Sequence, residues 1–326
     1  MASQQIGKVC IESFDLRGND PTASRDLARF LCFLPCLTDL TIKEMNPYLP
    51  DDFYHELADK SSSSKIGKVC IEGCDLREND PTASRDLARF LCLLPCLTDL
   101  TIKDSDGQYV NLYLLDDFYH ELARQASSSK IEKMCIQGCD LRENDRTASR
   151  DLARFLGLLP CLIDLMIKDS DGYNKHLTLL DDFYHELARQ ASSSKIEKMC
   201  IQGCYLREND PTASRDLARF LCFLPCLTDL TIENSDGQYR NLLLLDDFYH
   251  ELARQASSSK IGKVCIEGWS LRENDPTSSR DLARFLCFLP CLTDLTIKDM
   301  KLFLPDDFYH ELADKSSSSK VIYKVF

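Results

Sequence analysis

The heptapeptide Asp-Asp-Phe-Tyr-His-Glu-Leu occurs five times in this chain, starting at Asp51, Asp116, Asp181, Asp246 and Asp306. The first three steps between copies are equal, and the last is slightly shorter. A second phrase, Ser-Arg-Asp-Leu-Ala-Arg-Phe-Leu, recurs from Ser24, Ser84, Ser149, Ser214 and Ser279. Repetition at this period constrains the fold more than any other feature. A short unit that cannot bury its apolar face alone does so by stacking on its copies, and the result is an array. A length of 326 residues would by itself argue for about two domains. The repeat argues instead for one continuous array over residues 1–326.

Each unit divides into two halves of one design. Half A opens with Lys65 to Leu76, where Ile66, Val69, Ile71, Cys74 and Leu76 are the apolar positions. Half B opens with Leu97 to Ser105, with Leu97, Leu100 and Ile102 in the matching places. A short alternating core rich in β-branched residues suits a strand with one buried face. After strand A, Asp80-Pro81-Thr82 gives a helix start and Leu87, Phe90, Leu91 and Leu94 an apolar stripe, which Pro95 ends. After strand B the stripe is Leu114, Leu115, Phe118 and Leu122, closed by a serine run and a lysine. Strands of like pattern joined by helices are parallel strands with crossovers. The count is ten strand–helix units, with Val-Ile-Tyr-Lys-Val-Phe at the end as a terminal strand.

The strands resemble the leucine-rich repeat, Leu-x-x-Leu-x-Leu-x-x-Asn/Cys-x-Leu, over almost the whole chain. Alternating halves with full helices resemble the ribonuclease-inhibitor-like subtype, which also forms the C-terminal repeats of NOD-like receptors. The resemblance implies an α/β horseshoe solenoid with a parallel sheet on the concave side and helices on the convex side. It further implies a non-catalytic protein-recognition scaffold, the ligand-sensing region of a cytosolic innate-immune receptor. The competing reading is a leucine-rich-repeat inhibitor or a substrate-recognition adaptor outside immunity, such as a ubiquitin-ligase subunit. In this motif Cys74, Cys139 and Cys204 occupy the Asn/Cys position, where the chain leaves the strand.

Charge and cysteine usage narrow the partners. A net charge of −13 leaves no basic face for nucleic acid or anionic lipid. No apolar run is long enough for a membrane helix, and the sequence from Met1 to Cys10 lacks the apolar core of a signal peptide. The seventeen cysteines are odd in number and recur inside strand and helix patterns. They read as reduced thiols of a cytoplasmic protein rather than as a disulfide framework. The first strand pattern starts close to Met1 and Phe326 falls inside another, so a longer product is expected.

Two candidate sites follow from the repeat. The first is the His-Glu pair at His55, His120, His185, His250 and His310. A zinc-protease motif needs His-Glu-x-x-His, and the second histidine is replaced by Asp59, Arg124, Arg189, Arg254 or Asp314. His120 lies one turn after Asp116 and one before Arg124, the spacing of surface pairs on one helix. No catalytic residue, metal or cofactor is therefore expected. The second site is the rim. Units copied nearly word for word diverge just after strand B, where Tyr109, Tyr113, Tyr173, His176, Tyr239 and Arg240 stand. Tyr205 and Trp269 replace residues that are Asp or Cys in sister units. Tyr, Trp and Arg are the residue types that anchor interfaces, so a protein ligand is expected on the concave face and this rim. The alternative is local packing in a drifting loop. Flanking the concave centre, charges alternate from strand to strand: Lys68, Asp99, Lys133, Asp164, Lys198, Asp229, Lys263 and Asp294 at one level. At the other stand Glu72, Lys103, Gln137, Lys168, Gln202, Glu233, Glu267 and Lys298. Such neighbours can pair as cross-strand ladders.

Overall fold

The computed structural model describes residues 6–12, 21–43, 50–74, 76, 81–104, 114–139, 141, 146–168, 179, 181–203, 211–233, 246–267, 276–298, 308 and 322–325. The chain forms two compact units, residues 1–162 and 163–326. The first holds strands β1 (Lys8–Glu12), β2 (Asp39–Lys43), β3 (Lys68–Glu72), β4 (Asp99–Lys103) and β5 (Lys133–Gln137). Between and after them come helices α1 (Pro21–Phe33), α2 (Asp51–Lys60), α3 (Pro81–Leu93), α4 (Asp116–Gln125) and α5 (Arg146–Leu158). The second unit holds β6 (Asp164–Lys168), α6 (Asp181–Gln190), β7 (Lys198–Gln202), α7 (Pro211–Phe223), β8 (Asp229–Glu233) and α8 (Asp246–Gln255). It continues with β9 (Lys263–Glu267), α9 (Pro276–Phe288), β10 (Asp294–Lys298) and β11 (Ile322–Val325).

Within each unit the strands lie side by side in chain order, all parallel and in register. In β4, Leu100 and Ile102 are buried under the helices, while Asp99, Thr101 and Lys103 lie on the open face of the sheet. This is the predicted register, and a slip of one residue would have exchanged the two sets. Both units thus have the α/β architecture of a leucine-rich-repeat solenoid: a parallel sheet with crossover helices on one side.

The strand end explains the Asn/Cys position. Gly73, Gly138 and Gly203 have φ of 56°, 63° and 66°, in the left-handed region that favours glycine. The turn drives the next residue inward. The buried thiol of Cys74 donates to the carbonyls of Ile42 and Glu72, both at 3.7 Å, and so ties β3 to β2. Cys139 does the same less closely to Ile102 (4.0 Å) and Gln137 (3.9 Å). Cys204 lies outside the described residues.

Helix α3 buries Leu87, Phe90 and Leu91 on the predicted stripe. Pro81 stands at the first helical position, where a missing N–H costs nothing. The α4 stripe differs from the expectation. Leu114, Phe118 and Leu122 are buried, but Tyr119 and Glu121 join them and Leu115 is only half-buried. The rings of Phe118 and Tyr119 meet edge to face at 5.4 Å, which widens the apolar face by one position. Acidic Asp116 and Asp117 begin the helix and Arg124 stands in its last turn, each sign at the dipole end that favours it.

Phe90 is fully buried, whereas its exact copy Phe30 in α1 is exposed. Phe90→Ala should therefore cost about 3–5 kcal/mol in denaturant unfolding, and Phe30→Ala less than about 0.5 kcal/mol. Equal losses would contradict the packing described.

Candidate interaction surfaces

The open face of the sheet carries three parallel columns, set by the alternation of each five-residue strand. In the first unit the outer columns are Lys8, Asp39, Lys68, Asp99, Lys133 and Glu12, Lys43, Glu72, Lys103, Gln137. The centre is Cys10, Thr41, Cys70, Thr101, Cys135. The ladders form. Lys68 meets Asp99 at 3.2 Å and Lys8 meets Asp39 at 3.8 Å. Buried Glu72 lies between Lys103 at 3.1 Å and Lys43 at 3.6 Å. In the second unit Lys263 meets Asp229 at 3.4 Å and Lys298 meets Glu267 at 3.2 Å. Apart from those of buried Glu72, these pairs are exposed and add little stability. They do leave the face largely self-neutralised, and no aromatic or arginine side chain stands in the columns of β1–β10.

The rim residues Tyr109, Tyr113, Tyr173, His176, Tyr205, Tyr239, Arg240 and Trp269 all lie outside the described residues.

The helix side holds what the sequence reading missed. The shortest histidine pairs run to the next helix, although His55 also lies 4.0 Å from Asp59 on its own helix, the i,i+4 spacing expected. Nδ1 of His55 lies 3.0 Å from Asp86 of the next helix, and Asp86 also accepts from Arg89 at 3.0 Å. His120–Asp151 (2.9 Å), His185–Asp216 (3.0 Å) and His250–Asp281 (3.1 Å) repeat the clasp. An ionised carboxylate only accepts, so Nδ1 is the donor in each clasp. Each pair spans 31 residues, the offset between His of one phrase and Asp of the other, and this constant offset was the available signal. Arg124 is also engaged elsewhere than expected: it grips Glu121 from Nε at 2.7 Å and Nη2 at 2.6 Å. Arg29 reaches across from α1 to Glu56 at 2.7 Å, and Arg219 from α7 to Glu251 at 2.9 Å. In the first unit a groove of about 950 Å³ runs over α3, lined by His55, Arg85, Arg89, Asp117, His120 and Arg124 among others. Its cations are already paired: Arg85 with Asp117 at 3.0 Å, Arg89 with Asp86, Arg124 with Glu121. Among the described residues no group of three or more His, Cys, Asp or Glu is placed to hold a metal ion. No described helix is long and apolar enough to cross a membrane.

Ion pairing shifts the helix-side carboxyls. The Arg29 hydrogen bond holds Glu56 below the usual range. Burial pushes Glu121 and Glu251 up, but their arginine and glutamine donors outweigh it and hold both below the ordinary value. A depressed carboxyl contributes stability that is full above its unfolded pKa and is lost as pH falls through the folded one. Unfolding free energy should therefore decline below about pH 5, and Gln at positions 56, 121 and 251 should flatten that decline. An unchanged pH profile in the triple variant would rule the arginine grips out as its source.

The described thiols range from buried to exposed. Cys32, Cys74, Cys92, Cys139 and Cys222 are buried, but Cys10, Cys96, Cys226 and Cys291 are exposed, at a strand edge or just after an A helix. Central Cys70 is half-buried, and burial pushes its thiol up to about 11; Cys92 and Cys222 are pushed up to about 12. Timed alkylation read by peptide mass mapping should label Cys96, Cys226 and Cys291 first, Cys70 slowly, and Cys92 and Cys222 only on unfolding.

No protein-family profile matches the sequence, and no curated protein does. The fold does have solved counterparts. The leucine-rich repeat-containing protein LegL7 from Legionella pneumophila aligns over 97% of this chain and 91% of its own, at 14% identity and a TM-score of 0.50. A protein from Bacteroides fragilis aligns over 97% and 73%, at 15% identity and a TM-score of 0.43. TLR13, solved in complex with ssRNA13, aligns over 90% and 43%, at 14% identity and 0.35. At these identities the likeness concerns the fold alone, and the LegL7 match agrees with the strand and helix order in placing this chain among leucine-rich-repeat folds.

Proposed function

We propose that the chain is a non-catalytic scaffold that recognises a protein ligand, and that it serves as the sensing repeat region of a cytosolic innate-immune receptor of the NOD-like type. Residues 1–326 act in this reading as one array. The observation that carries it is a division of labour within the repeat. The framework is copied almost without change, and its open face spends its charges on neighbouring strands. Specificity then has to come from positions that differ between copies. Those are the connections after strand B, with Tyr109, Tyr173, Tyr239 and Arg240, together with Tyr205 and Trp269. The receptor assignment rests on the alternating halves that resemble the NOD-like repeats and on the described cysteines being thiols rather than disulfides.

The test compares two variant sets once a partner has been purified on the immobilised chain. Tyr109, Tyr173, Tyr239 and Arg240 changed together to alanine should abolish binding and leave Tm nearly unchanged, because such anchors carry about 2 kcal/mol or more each. His55, His120, His185 and His250 changed to asparagine, which keeps a donor for each aspartate, should bind as the parent does. Binding lost in the histidine set and kept in the rim set would overturn the assignment.

A further inference from the structure

Every described A helix ends on a large apolar residue that the fold leaves in water. Phe33, Leu93, Leu158, Phe223 and Phe288 are the last residues of α1, α3, α5, α7 and α9. All five are exposed, from 38% for Leu93 to 58% for Phe33. An open flank is not the cause, because α3 packs between α2 and α4, and α7 between α6 and α8. Exposed Ile163, in the connection after α5, adds to the same edge. Single apolar residues on a surface are ordinary, but one repeat position exposed in every copy makes a row. In the first unit the row is Phe33, Leu93 and Leu158, and in the second it is Phe223 and Phe288.

The row lies on the edge where helices end and strands begin, and strand register gives its neighbours. Three residues before the paired Asp39, Lys68, Asp99 and Lys133 stand Cys36, Lys65, Cys96 and Lys130. All but half-buried Cys36 are exposed. In the second unit Lys195, Cys226, Lys260 and Cys291 hold the same places, also exposed. This edge carries little acid. The connections after the A helices, residues 34–38, 94–98, 159–163, 224–228 and 289–293, contain no charged residue. Those after the B helices, residues 61–67, 126–132, 191–197 and 256–262, contain four lysines and two glutamates. The connections that leave from strand ends are acidic instead: residues 73–80 and 104–115 together hold five acidic residues and one arginine.

We propose that this edge docks the same edge of a second copy of the chain, with the two rows antiparallel about a two-fold axis. Three observations select a copy as the occupant. The row has a fixed repeat, so turned about a two-fold axis it meets its own image apolar residue to apolar residue. Each copy carries a net charge of −13, so two copies repel least through the edge whose connections are not acidic. Exposed Glu132 and Glu197 on that edge also offer the lysines of the other copy an acidic partner. The size is sufficient. With neighbouring helices about 9 Å apart, the row of the first unit is roughly 35 Å long. An edge about 20 Å deep then presents about 700 Å², close to the roughly 800 Å² per partner of a stable interface.

Sedimentation velocity of the full chain over a concentration series should show a monomer–dimer equilibrium. Leu93, Leu158 and Phe223 changed together to serine should raise its dissociation constant at least about tenfold, since each residue acts twice in a two-fold interface. The three side chains are exposed, so Tm should move by less than about 2 °C. Lys65→Glu with Lys130→Glu, at two exposed lysines, puts acid on the same edge and should weaken the dimer without touching the apolar row. Timed alkylation locates the surface. Cys96 and Cys226 should label more slowly as protein concentration rises, while Cys10, exposed on the open face of the sheet, labels at one rate throughout. A chain that stays monomeric, a dimer insensitive to both sets of substitutions, or labelling of Cys96 and Cys226 that ignores concentration overturns the proposal. So does a monomer that cosediments with phosphatidylserine-containing vesicles through Leu93, Leu158 and Phe223, which would make a lipid surface the occupant.

Discussion

No half of this protein can bury its own core, and that constraint organises everything else. A short strand and one helix leave two apolar flanks, each of which must be covered by a half of the other kind. Phe90 shows the covered state and Phe30 the uncovered one, in identical sequence contexts. The difference in exposure between these two rings measures neighbour coverage directly, because local sequence, helix propensity and strand register are all held constant. Stability in such an array is carried by the junctions as much as by the halves. The Cys74 thiol, bonded to a carbonyl of the preceding strand, and the His55–Asp86 clasp are both junction devices in this sense.

The polar groups divide by side. On the helix side, nearly buried carboxylates such as Glu121 and Asp86 are satisfied by arginine and histidine from the same or the adjacent helix. Removing one partner there would strand a poorly hydrated charge, so these networks specify which helix sits beside which. On the open side the pairs run between strands; apart from those of buried Glu72 they stay in contact with water, and they are weak. The charges of that side exchange partners at small cost, and between them stand Cys and Thr side chains and, in β6, Met166. Under the proposed function, selection falls to residues that vary between copies.

Much of this was legible in the sequence because two periods superimpose. The period of two in Val69, Ile71 or Leu100, Ile102 gave the strand register, and the repeat of the whole unit gave the parallel order. The Asn/Cys position was legible for the same reason: Cys74 and Cys139 fall at one place in the motif, and the glycine before each marks the turn. What periodicity could not give were contacts between elements far apart in the chain. On a single helix, His120 has Asp116 and Arg124 as ready neighbours, and nothing local says that its ring turns instead to Asp151. Exposure of the central cysteines is likewise set by neighbours distant in the chain. Being on the open face does not free Cys70, because Lys103 and Glu72 from the flanking columns crowd it. The rim residues were picked out by their variation, a signal about selection that carries no geometry.

Near-identity between copies has its own consequence for this molecule. A repeat array whose junction surfaces differ from place to place can close only in one order. Here residues 37–60 and residues 292–315 agree in every position outside one short connection, so a half that fits one site fits the other. Correct stacking inside the chain then depends on connectivity, since a connection within the chain keeps the right half at high effective concentration whatever its competitors. Differences in sequence between copies relieve the ambiguity, and β11 departs from every other A strand.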